Sequence, residues 1–301
     1  MAITAPARPA PVQQPPATHA APASPLEQTI RAAVVILSLL MVWFLTYALV
    51  LTPLQNHHDQ GVLYSKFRQQ LAEETAPLGG VIARGAPVAI MSLPAAGIKR
   101  EVVVEGTTSS NLTEGPGHLR DTVLPGQQGL SVVMGRARLF GAPFRNIESL
   151  KPGAVITFTT AEGVSHYVVQ DVRRAGEKGA PGIAPGGGQL QLVTAESSGW
   201  RSGWAPSKAI FVDAALTSKP YGNQSGGLTS IPNAELPMKG DSSSLYVLVL
   251  WLPLLLGSVV AVWWAYARWG RWQAWVTGVP LLLGVLWGVS KVAIQLLPNL
   301  A

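Results

Sequence analysis

The chain has 301 residues, 48% hydrophobic and only 13% charged, against roughly a quarter charged in soluble globular domains. That balance excludes an ordinary soluble chain and points to membrane-spanning segments. The net charge of +6 is scattered, with no Lys/Arg run interleaved with aromatics, so no nucleic acid is expected as a partner. Cysteine is absent, which excludes disulfides, thiolate metal sites and a thiol nucleophile. Heavy use of Ala, Gly, Pro, Val and Arg suggests a high-GC bacterium.

Residues 1–30 are Ala/Pro/Gln-rich with too little apolar surface to offset ordering, and are expected to be a disordered cytoplasmic tail. The proline-rich stretch comes first and no cleavage site follows the apolar run, which does not fit a signal peptide. Ala32–Leu51 (AAVVILSLLMVWFLTYALVL) is an uncharged run long enough to cross a bilayer as a helix, giving a first span over 31–52. In the stalk, 53–81, QGVLYSKFRQQLAEE places Leu63, Phe67 and Leu71 on one helical face.

From 82 to 216 the pattern changes. The runs VAIMSL, EVVVEG, LSVVMG, AVITFTT, SHYVVQDV, LQLVTA and AIFVDAAL alternate with Gly/Pro turns, the signature of an antiparallel sandwich or barrel. FRNIESL, Phe144–Leu150, reads as a helical turn or two. A Gly/Ser-rich linker follows at 217–244. A second span at 245–267, a short loop at 268–274 and a third span at 275–297 complete the chain. The third span is interrupted by Gly and Pro and carries Lys291 near its far end. Tryptophans at the span ends fit an interfacial belt. Arg268 and Arg271 in the short loop mark it as cytoplasmic, which puts the β-rich region outside and the N-terminus inside.

Metal and phosphate chemistry find no support. Glu114, Asp121, Glu196 and Asp213 lack ligand spacing, and no Gly-Lys-Ser/Thr follows Gly186–Gly188. No metal or other cofactor is expected. Asn111-Leu-Thr113 matches a glycosylation sequon of the kind that arises by chance.

Three stretches carry a resemblance: VVVEGTTSSNLTEGPGHLRDTVLPG ending at Gly126, LSVVMGRARLFGAPFRNIESLKPG from Leu130 to Gly153, and LQLVTA from Leu190 to Ala195. In their order and spacing they resemble the sortases, most closely the actinobacterial class E type. The resemblance implies a mainly β fold: a closed eight-stranded β-barrel, here accompanied by three transmembrane helices. It also implies a site of Cys nucleophile, His acid/base and Arg carbonyl-steadying residue, acting on the Thr-Gly bond of a surface-protein sorting signal.

On that alignment the family histidine falls on Arg136, its cysteine on Ala195 and its arginine on Ala209, with Lys208 adjacent. Alanine forms no covalent intermediate, and an arginine gives up no useful proton. No catalytic residue is therefore expected. The expected role is binding or scaffolding at the cell envelope, with the membrane and a sorting signal or another membrane protein as partners. Arg136, Trp200 and Trp204 are the candidate binding residues; Arg136 either meets an anion in the old groove or pairs with Glu196. The alternative is a rebuilt serine-based transpeptidase or hydrolase, drawing on Ser197 or Ser198 with His118 or His166. A further alternative makes the second and third spans the working part, with Gly278 and Gly284 in their assembly.

Overall fold

In the computed structural model, the described residues are 24–177, 182–196, 208–223 and 228–300. The chain divides into two units, Met1–Trp43 and Phe44–Ala301. In the first lies most of α1 (Pro25–Thr46), which is uncharged beyond Arg31. A π turn over Tyr47–Leu51 leads into α2 (Thr52–Ala72), so the stalk helix starts earlier than its apolar face suggests. Leu63 and Phe67 on that face are buried.

Eight strands follow: β1 (Pro87–Leu93), β2 (Ile98–Glu105), β3 (Gly117–His118), β4 (Gly129–Met134), β5 (Val155–Thr160), β6 (Gly163–Arg174), β7 (Gly188–Ala195) and β8 (Ala209–Leu216). They close into a barrel in the order β1-β2-β3-β4-β7-β8-β6-β5, so every strand has two neighbours and no edge is left to aggregate. The β2–β3 and β4–β7 pairs are parallel and the rest antiparallel. A one-turn helix, α3 (Asn111–Glu114), lies between β2 and β3. FRNIESL contributes only a 3-10 turn at Ile147–Ser149, which ends where Leu150 is extended.

Side chains alternate across a strand, and this sorts the apolar residues into two sets. Val133, Leu190, Leu192, Val212 and Ala214 point into the barrel with Phe158 and Tyr167. The odd-numbered residues of β7 and β8 (Val193, Ala195, Ala209, Phe211), with Val132 and Met134 of β4, form a second cluster on the opposite face. In a simple barrel that outer face would be wet. Here Leu112, Leu119, Met238 and Leu300 cover it.

The 217–244 segment is not a free linker. Glu235 is fully buried, with Arg84 at 3.1 Å and Arg120 at 2.8 Å, and its carbonyl accepts from Thr107 Oγ1 at 2.6 Å. Burial of a carboxylate requires such pairing. Beyond it, α4 (Ser244–Trp269) and α5 (Arg271–Gln295) form a hairpin whose bend is the single residue Gly270, shorter than the loop expected. Both helices are long and apolar enough to cross a membrane. Pro253 and Pro280 sit inside them without ending either, so the third span is continuous. Trp251 packs directly on Gly288, where a Cβ would lie 2.2 Å from its ring, the close approach small residues allow between membrane helices. Gly278 likewise meets Val262, whereas Gly284 faces open space.

One side-chain amide of the stalk makes three hydrogen bonds to the barrel region. Gln60 Oε1 accepts from the Val102 N–H at 2.7 Å, and Gln60 Nε2 donates to the Val102 and Glu114 carbonyls at 3.1 and 2.8 Å. The amide thus pairs with β2 as a neighbouring strand's peptide group would. Gln60→Ala is expected to destabilise the full chain by about 1–3 kcal/mol, the cost of orphaning a buried peptide group, measured by denaturant melting in micelles. Glu101 on the same strand is pushed up to about 7 by burial. A carboxyl with a raised folded pKa stabilises at low pH and loses that contribution as pH rises through the folded value. Wild type should therefore lose stability relative to Glu101→Gln between about pH 4.5 and 7, and no further above it.

Candidate functional site

The three positions singled out by the resemblance meet at one end of the β4–β7–β8 sheet. Ala195 and Ala209 are direct partners across the antiparallel β7–β8 pair. β4 runs parallel to β7 with Met134 beside Val193, and the Gly135 N–H donates to Val193 O at 3.0 Å, which brings Arg136 alongside Ala195. Lys208 is exposed, and its carbonyl accepts from the Glu196 N–H at 3.0 Å.

Arg136 is fully buried rather than turned to an open groove. Its Nη2 donates to Ser109 O at 3.0 Å and Ser109 Oγ at 2.8 Å, and its Nε to Leu112 O at 3.2 Å. The guanidinium also lies 5.1 Å from the centre of the Phe140 ring, within cation–π range. Burial pulls its pKa down to about 9, which still leaves a cation at neutral pH and no proton to give. Glu196, considered as its partner, lies 3.6 Å from Arg174. Arg138 is exposed.

The hydroxyl and imidazole groups nearby are committed elsewhere. Thr194 Oγ1 donates to Gly135 O at 2.9 Å. His118 is 1% exposed, with Nδ1 2.9 Å from Glu105 Oε2 and Nε2 2.9 Å from Val123 O. A carbonyl only accepts, so Nε2 holds its proton toward Val123. Thr122 Oγ1, 3.1 Å from Nε2, donates its own proton to Leu119 O at 2.7 Å. The group has the connectivity of an acid–His–hydroxyl triad, but the hydroxyl has no base to activate it. His166 is exposed on β6 beside Thr157. Asn111 of the sequon is buried, out of reach of a glycan. Ser197, Ser198, Trp200 and Trp204 lie outside the described residues. No group of three potential metal ligands occurs among the described residues.

Two residues with no sequence signature complete the site. Asn299 and Leu300 follow α5 and are fully buried. Leu300 joins the apolar cluster of Ala137, Val193, Ala195 and Ala209, and its carbonyl accepts from the Ala137 N–H at 3.0 Å. Ala195 and Ala209 are thus packed apolar interior. Ser109→Ala, which removes one partner of the buried Arg136 cation, is expected to cost about 1.5–3 kcal/mol in chemical denaturation of the full chain.

Residues 91–208 match the family model for the sortase domain. No curated protein matches the chain. Among solved structures, sortase E from Streptomyces avermitilis is 25% identical over 52% of this chain and 100% of its own, with a TM-score of 0.37. A Clostridium perfringens sortase D5 transpeptidase is 20% identical over 54% of this chain and 99% of its own, with a TM-score of 0.41. A C. perfringens sortase C with its C-terminal cell wall sorting motif is 21% identical over 54% of this chain and 89% of its own, with a TM-score of 0.39.

Proposed function

With residues 91–208 forming a sortase domain, we propose that the chain is a membrane-anchored, non-catalytic sortase-fold protein that binds or scaffolds at the cell envelope. The observation that carries this reading is the chemistry of the three converging positions. Arg136 is a buried cation, and Ala195 and Ala209 are small apolar residues packed with Leu300. Acyl transfer needs a nucleophile and a group that returns a proton to the leaving amine, and neither is present there.

The barrel faces the outside and the chain crosses the membrane three times. Arg268 in the last turn of α4 and Arg271 at the start of α5 flank the Gly270 bend, and such short basic loops stay cytoplasmic. At the opposite end of the hairpin Ser244 Oγ ties α4 to α5 through Gln295 Oε1 at 2.9 Å, and Ile294 packs with Leu139 and Phe140 of the barrel region. On this reading the partner is a surface-protein sorting signal or another membrane protein.

Intact-mass measurement of the full chain after incubation with a thioester-activated sorting peptide tests the reading. The expected spectrum is unmodified protein and intact peptide. An acyl adduct on any residue, Ser197 and Ser198 included, would establish a rebuilt transpeptidase or hydrolase instead.

A further inference from the structure

The outer face of β4, β7 and β8 is apolar and carries small residues at Ala137, Ala195 and Ala209. What fills it comes from the chain itself. Leu300 enters the apolar cluster while its carbonyl accepts from the Ala137 N–H at 3.0 Å, beyond the end of β4. One residue earlier, Asn299 Nδ2 donates to Thr107 O at 2.8 Å and Leu236 O at 3.1 Å, and the Asn299 N–H donates to Lys239 O at 2.9 Å. Upstream, Leu296 lies against Gly240 so closely that a Cβ there would be 2.4 Å from the Leu296 carbonyl oxygen.

These features amount to a built recognition site. A backbone donor reads the ligand's main chain, two carbonyls read a side-chain amide, and an alanine-lined pocket reads a branched aliphatic residue. The match is with an asparagine followed by leucine. Asn299 Oδ1 is buried with no hydrogen-bond partner, so the acceptor half of the amide adds nothing to the hold.

We infer that the former catalytic groove is a peptide-binding site whose resident ligand is the chain's own segment 296–300. The segment fastens the α4–α5 hairpin to the barrel and shuts the groove to peptides of the same chemistry from outside. The inference rests on the non-catalytic reading in one respect: a groove turning over peptides could not keep this occupant.

The cysteine-free chain allows a direct test. Ala195→Cys places a single thiol in the floor of the pocket, and its rate of modification by a water-soluble maleimide reports occupancy in full-length protein in nanodiscs. The thiol should react at least ten-fold faster when Leu300→Asp is added, with Asn299→Ala giving a smaller acceleration. A synthetic Leu-Pro-Asn-Leu peptide should restore slow labelling of the Leu300→Asp protein, and a scrambled peptide should not. Circular dichroism checks that the barrel persists; if Leu300→Asp unfolds it, the Asn299→Ala pair decides. Equal labelling with and without the tail substitutions, or no protection by the peptide, would overturn the inference. Failure of the non-catalytic reading shows elsewhere, as an acyl adduct on the wild-type chain.

Discussion

A positive charge with no access to water has to be surrounded by oxygen, and Arg136 imposes that requirement on this structure. Its side chain is the largest fully buried one among the described residues. Ser109 and Leu112 meet it with two carbonyls and a hydroxyl, which fixes the 106–115 loop over the end of the β4–β7–β8 sheet. The same loop then becomes the junction of the molecule. Thr107 holds the Glu235 carbonyl and Asn299, Thr113 accepts from Asn56 of the stalk, and Glu114 accepts from Gln60. Stalk, barrel, interhelical segment and the stretch after α5 all converge on backbone that the buried cation holds in place.

On the proposed non-catalytic reading, the chemistry of these three positions and the architecture go together. A histidine that shuttles protons needs solvent or substrate at its ring, whereas a buried arginine needs neither and works best sealed in. Alanines at 195 and 209 remove polar atoms from the same region and leave room for an aliphatic side chain. Together with Val193 and Leu300 they form apolar interior continuous with the outer face of the sheet. The barrel itself tolerates this, because its own core lies on the opposite side of those strands.

Much of this was legible in the sequence. The long β runs show their alternation, so β1, β2 and β4 to β8 stand where expected, and three uncharged stretches announce helices long enough for a membrane. β3 was not readable, since two residues, Gly117–His118, have no period. The three positions that the motifs pick out, Arg136, Ala195 and Ala209, lie far apart in the chain, and β-pairing brings them together. The occupant of the groove was invisible for a different reason. Asn299 and Leu300 gain their meaning only from residues such as Thr107 and Ala137, far away in the chain, and nothing local marks them. Glu235 was hidden likewise: in a Gly/Ser/Pro-rich segment it reads as a solvated charge until Arg84 and Arg120 are seen to enclose it.

The central claim is that the region around Arg136, Ala195 and Ala209 is closed interior, and the Ala137 amide reports on it directly. Its proton is given to the Leu300 carbonyl. Hydrogen exchange of the full chain in nanodiscs should show this amide protected to the level of the neighbouring β4 amides. Exchange as fast as an unstructured loop amide, with β4 still protected, would mean an open groove and would contradict the account.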